Sequence, residues 1–357
     1  MRHIVRVGII GAGLCIARAS FAQTISDAVN QVSQTTYQHY LDDLLYTHKA
    51  DDRRYGAQHD LARANIYNQF SSYGLQTTLD PFTYGVNTYY NVIAVLPGSS
   101  ARSDEVYLVG AHYDSVGNPG ADDDASGVAG VLAAAQVLSQ YHFEATLVFA
   151  AFDREEQGLI GSWNYSSQHH NDDINGMVSL DMIANNNDNN LASIYGRAAS
   201  DPIKQALSDA IALYGNGLVP AIGGDVPASD HAPFEANGFQ ACLLIEGNYF
   251  NNGNYHQPSD TVDTAGYIDY AYATEITRST VGFLATEAGL MSVPDSGGTL
   301  LLLGISLVLT CASAALFRAT FQYAPRGDDG QELHHGHNEQ RVAEREDVGD
   351  FVRQQDE

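Results

Sequence analysis

The chain has 357 residues, 44% of them hydrophobic, enough for one large core or two small ones, and its composition excludes a disordered or low-complexity protein. Asp and Glu number 43 against 17 Lys and Arg, a formal net charge of -26. Such a surface repels polyanions, which excludes nucleic acid as a partner.

Arg2 and Arg6 precede an apolar stretch, and Ser20-Phe21-Ala22 places small residues where a signal peptidase reads them. Residues 1–22 are therefore expected to be a secretory signal, and the protein an exported one, periplasmic, cell-envelope-anchored or secreted. Gly11-Ala12-Gly13-Leu14-Cys15-Ile16-Ala17 also fits a dinucleotide-binding pattern. That pattern needs a βαβ unit of about 30 residues, whereas this chain passes into the polar run Gln31 to Thr36.

Residues 23–290 read as one domain. Leu61, Ile66, Phe70 and Tyr73 predict a helix over Ala57 to Tyr73. Strands are predicted over Tyr89 to Leu96, Glu105 to Ala111, Ala145 to Phe152, Gly176 to Met182 and Gln240 to Ile245. Helices are predicted over Ser126 to Gln140, Gly158 to Gln168, Pro202 to Tyr214 (with Asp201 as N-cap) and Tyr267 to Glu287. Apolar strands alternating with helices predict a three-layer α/β/α fold with a mostly parallel central sheet. Ligands bind such sheets beyond the carboxyl ends of the strands. Of three cysteines only Cys242 lies in this body, in an apolar run that predicts a buried structural thiol.

Residues 291–318 change character. Val293-Pro294-Asp295-Ser296-Gly297-Gly298 precedes an uncharged apolar run, Thr299 to Phe317, with Arg318 behind it. As a helix the run would be roughly 28 Å long, close to bilayer thickness, so a membrane span over 299–317 is expected. The segment resembles the PEP-type sorting tags that exosortase-like enzymes process in Gram-negative bacteria, although here a polar, charged tail, 319–357, follows it. The tail's His334-His335-Gly336-His337 reads as solvated.

The chemistry concentrates where apolar strands end. One strand delivers His112, followed by Asp114, a carboxylate of the kind that fixes the tautomer of a ligating imidazole. Asp122-Asp123-Asp124 precedes the next helix. Adjacent carboxylates suit both a divalent cation and a helix N-terminus. Glu155-Glu156 ends another strand, and adjacent side chains diverge, so one can hold a metal while its neighbour moves a proton. Asp181 interrupts an apolar strand, and His256 lies in a loop after the strand that ends at Ile245. Mixed imidazole and carboxylate ligands suit catalytic zinc.

These residues resemble the bacterial leucyl aminopeptidase family of di-zinc exopeptidases, within the zinc peptidase and glutaminyl cyclase-like superfamily. The matching pieces are AHYDS, GADDDASG, REEQGLIGS, SLDM, SDHAPF and YHQPSDT, in family order between Tyr89 and Asp263. The resemblance implies the zinc exopeptidase architecture, two Zn2+ ions per chain and peptide or protein substrates cleaved at the amino end. It implies Asp123 as the bridge, His112 and Asp181 on one zinc, and Glu156 and His256 on the other. Glu155 would be the general base and Tyr255 an oxyanion donor, with Asp114 behind His112, and Asp230 and His231 in a motif close to the site. Relatives on this fold include carboxypeptidases, a single-zinc glutaminyl cyclase and non-catalytic binding modules, which stay open as alternatives.

Overall fold

The computed structural model describes residues 23–291. Helices α1 (Ile25–Val29) and α2 (Gln34–His39) and a π-helical turn over Tyr40–Leu44 come first, and Tyr37, Tyr40, Leu41 and Leu45 bury their side chains in the core. Helix α3 (Ala57–Ser72) buries His59, Ala62, Ile66 and Phe70 at helical spacing. The apolar face expected from Leu61 is therefore rotated: Leu61 is 47% exposed.

There follow β1 (Gln76–Tyr84), β2 (Asn87–Leu96), β3 (Glu105–His112), α4 (Ala125–Leu138), β4 (Thr146–Phe152), α5 (Ile160–Gln168), β5 (Asp173–Leu180) and β6 (Leu191–Tyr195). Then come α6 (Asp201–Tyr214), β7 (Val219–Ile222), α7 (His231–Ala236), β8 (Ala241–Glu246) and α8 (Tyr270–Glu287). The eight strands form one sheet in the order β1-β2-β4-β3-β5-β8-β6-β7. The inner four, β4-β3-β5-β8, are mutually parallel, while β1–β2, β2–β4 and β6–β8 pair antiparallel. The sheet is thus mixed, with the expected parallel pairing at its centre.

Side chains alternate across the sheet as strand geometry requires. Val109, Ala111, Phe149 and Ala151 face a core shared with α1 to α4, α6 and α8. Leu108, Val148, Ala150 and Phe152 face a smaller one with Tyr165 of α5 and Phe234 of α7. This three-layer arrangement places the carboxyl ends of β3, β4, β5 and β8 along one edge.

Asp201 does not cap α6. Ser200 occupies that position, and Asp201 pairs instead with Lys204 at 2.8 Å. Cys242 is buried and free, as expected. The expected signal (1–22), the tag (291–318, apart from its first residue) and the tail (319–357) lie outside the described residues. The transmembrane expectation is corrected: among the described residues no helix is long and apolar enough to cross a membrane, and the run 299–317 lies outside them.

Candidate active site

Parallel pairing aligns the strand ends. His112 closes β3 opposite Phe152, which closes β4, so Glu155 and Glu156 emerge beside it. Asp181 is the residue after β5. His256 comes from the long loop after β8, and Asp123 from the loop before α4.

These side chains converge. His112 Nε2 lies 3.2 Å from Asp123 Oδ1 and 4.0 Å from Asp181 Oδ1. His256 Nε2 lies 3.0 Å from Asp123 Oδ2 and 3.3 Å from Glu156 Oε2. Ligand atoms of His112, Asp123 and Glu156 stand within 4.8 Å of one another, as do those of His112, Glu155 and Asp181. Both groups contain His112, and Asp123 turns one oxygen to each histidine.

The aspartate triple divides its work. Asp124 caps α4 by accepting from Gly127 N at 2.9 Å and also accepts from the amides of His112 and Met182. Asp122 turns away, accepting from Ala184 N at 2.8 Å and from the Asn252 side-chain amide at 3.0 Å. Asp123 alone faces the site. Gly127 is obligatory where α4 starts, because a Cβ there would stand 2.4 Å from both Asp124 Oδ1 and the Leu180 carbonyl.

Asp114 sits behind His112, its backbone carbonyl 3.2 Å and its carboxylate 3.6 Å from His112 Nδ1. That carboxylate accepts from the amides of Glu155 at 3.1 Å and Glu156 at 3.4 Å. Below lies Arg53, fully buried, whose guanidinium donates to the carbonyls of Tyr113, Pro119 and Gly120. Beside it Asp153 accepts from Tyr113 Oη at 2.9 Å and meets His59 Nε2 at 2.9 Å. Asp260 accepts from the amides of Asp122 and Asp123. None of these supporting roles is legible in the sequence, although Asp260 falls within the YHQPSDT segment. Arg53 and Asp260 sit in polar loops without periodicity, and His59 was hidden by the misplaced face of α3.

Four carboxylates and two imidazoles crowd the centre. Burial pushes the carboxyls of Glu155, Glu156 and Asp181 above their ordinary range. Burial acts on Asp123 too, but hydrogen bonds to His112 and His256 outweigh it and hold that carboxyl low. Glu156 Oε1 is buried with no hydrogen-bond partner. An orphaned oxygen and surplus negative charge in one place are what a divalent cation neutralises, so the donor set fits zinc.

The cluster floors a cleft of about 610 Å³, part of it open to solvent. One wall is apolar, built from Met182, Val226, Leu243, Ile245, Tyr249 and Phe250. Tyr255 lines the mouth, its ring stacked on His256 at 3.9 Å between centroids. Asp230 and His231 are buried at the start of α7, and neither side chain has a hydrogen-bond partner. Burial raises the Asp230 carboxyl and pushes His231 down to about 4.

The profile of peptidase family M28 matches residues 91–281. A "Probable zinc metalloprotease" of Pyrenophora teres f. teres is 39% identical over 130 residues, 33% of this chain and 27% of that protein. A "Probable leucine aminopeptidase" of Trichophyton verrucosum is 30% identical over 222 residues, 57% of this chain and 58% of that protein. The chain thus spans between about a quarter and three-fifths of these curated relatives. Among solved structures, an aminopeptidase from Aneurinibacillus sp. strain AM-1 superposes with a TM-score of 0.64 at 20% identity, covering 76% of this chain and 97% of that one. A glutaminyl cyclase of Porphyromonas gingivalis gives 0.61 at 20% identity, covering 72% and 99%. The fold is therefore shared by both activities.

Proposed function

The chain belongs to peptidase family M28, and from that premise we propose that it is a zinc-dependent aminopeptidase that binds two zinc ions and removes amino-terminal residues from peptides. The observation that carries this reading is the position of Asp123, with one oxygen 3.2 Å from His112 and the other 3.0 Å from His256. A carboxylate so placed suits a bridge between two ions, one held with His112 and Asp181 and the other with Glu156 and His256. Bound there, zinc would acidify a water molecule and polarise the scissile carbonyl.

The remaining steps fall to the chain's own side chains. Glu155, beside the ligands and held at its amide by Asp114, takes the proton of the attacking water and returns it to the leaving amine. Burial raises its carboxyl, which favours holding that proton. The Tyr255 hydroxyl at the mouth donates to the developing oxyanion. The apolar wall receives the first side chain of the substrate. The basic and apolar opening before Ala22 supports export, so the substrates would be peptides met outside the cytoplasm.

The test is hydrolysis of aminoacyl arylamides and of N-blocked peptides, with chelator and after zinc restoration, alongside a metal count per chain. Free-amine substrates alone should be cleaved, with two zinc ions per active chain. One zinc per chain with release of pyroglutamyl product would favour the cyclase instead.

A further inference from the structure

Resting on the aminopeptidase reading, we propose that Arg54 is a specificity-determining residue that recognises a carboxylate on the part of the peptide released by cleavage. The chain is strongly anionic, and the head groups of its described cations are mostly engaged: Arg53 by carbonyls, Arg102 by Glu105 and Glu144, Arg154 by Gln157. Among the described residues only Arg54 and Lys49 have head groups with neither a hydrogen bond nor an ion pair. Arg54 is exposed, with its guanidinium carbon 5.7 Å from the ring centroid of the exposed Tyr55.

Its place on the rim follows from three contacts. The Arg54 carbonyl accepts from Arg154 Nη1 at 2.6 Å, and the same nitrogen donates to the side chain of Gln157, the residue after Glu156. Arg54 Cδ and Nη1 lie 3.7 Å and 3.9 Å from where a Cβ on Gly117 would stand. The next residue, Asn118, donates to the carbonyl of Gln257, the residue after His256, at 3.1 Å. These contacts put Arg54 beside the loops that carry Glu156 and His256. Asp52 borders the same glycine without forming an ion pair with Arg54.

The apolar wall stands on the other side, on β8 and the residue after Asp181, and β3 and β5 separate β8 from β4. A peptide with its first side chain against that wall carries its leaving portion toward the β4 side. An extended chain advances about 3.3–3.6 Å per residue, so a carboxylate one to three residues past the scissile bond lies roughly 4–11 Å beyond it, in the direction of Arg54. The carboxylate is either the C-terminus of a short peptide or an acidic side chain just past the cut. In a site otherwise ringed by negative charge, a free guanidinium is the group that offsets repulsion of such a substrate and can bind it with two parallel hydrogen bonds.

The experiment uses the zinc-loaded full chain and five substrates: Leu-Ala-Ala, its C-terminal amide, Leu-Glu-amide, Leu-Gln-amide and leucine p-nitroanilide. The unaltered enzyme should show KM about three- to ten-fold lower for a carboxylate-bearing peptide than for its neutral counterpart. The tripeptide pair reads the C-terminus, the dipeptide amides the side chain. Arg54→Ala should abolish the difference, Arg54→Glu should invert it, and Lys49→Ala should leave it intact, with kcat and the arylamide KM constant throughout. Equal KM within both pairs, while the arylamide is turned over, overturns this inference alone. So does an Arg54→Ala enzyme that keeps the preference or loses arylamide turnover. Failure to cleave any of the five overturns the aminopeptidase reading and this inference with it.

Discussion

The Asp114 carboxylate accepts a hydrogen bond from the Glu155 amide at 3.1 Å, so the residue two places after His112 fixes the backbone of the proposed base. Asp114→Ala should leave that amide and its neighbour unpaired and lower kcat or zinc affinity by roughly 10- to 100-fold. Asp114→Asn, which keeps one acceptor oxygen, should fall between. Steady-state kinetics with metal analysis reads both, and an alanine variant with native kcat and native zinc content contradicts the assignment.

Glu155→Gln should keep the metal content of the unaltered protein and lose turnover by at least about 100-fold, because an amide cannot take the water's proton. Metal content and single-turnover assays on the same sample separate loss of the base from loss of the metal. Native activity in that variant would remove Glu155 from the mechanism.

The apolar wall should make leucine, methionine and phenylalanine arylamides better substrates than aspartate or lysine arylamides by at least about ten-fold in kcat/KM. Phe250 is 81% exposed at the mouth, so Phe250→Ala should keep the fold and shrink that margin. An unchanged ranking would place the first side chain elsewhere.

Stability should decline with alkaline pH through Glu246. Burial, followed by the neighbouring Asp122 carboxylate, raises the Glu246 carboxyl above its ordinary 4.5. A group raised in the folded state binds more protons folded than unfolded, so its contribution is complete below about 4.5 and is lost as pH climbs toward the raised value. Denaturant midpoints should fall from about pH 5 to about pH 9, and Glu246→Gln should flatten the profile. Parallel profiles for the two proteins would show that Glu246 ionises normally.

The site was legible because its residues end apolar strands. His112, Glu155, Glu156 and Asp181 each follow or close a run whose burial the composition already betrays. The edges of the sheet were not. In β1 the pattern is mostly exposed and contains Pro81, and β7 is four residues long with Pro220, so neither shows the alternation of a half-buried strand. The five-residue β6 follows an asparagine-rich loop that reads as surface. The bonds of Asp114 to the Glu155 and Glu156 amides were not legible, because spacing shows proximity to His112 but not what else the carboxylate meets. Arg53 and His59 are held by carbonyls and by Asp153, partners that sequence order does not bring together.

The family profile begins at residue 91, yet the ground beneath the site is laid earlier. Tyr37 donates to the Ser126 carbonyl at 2.9 Å, Arg53 gathers three carbonyls of the neighbouring loops, and His59 holds Asp153. A fragment starting at residue 91 would keep every proposed ligand and strip the floor from under them. The smallest heritable unit that can be moved, fused or expressed intact therefore reaches back at least to the helix that carries Tyr37, well outside the stretch by which its kinship is recognised.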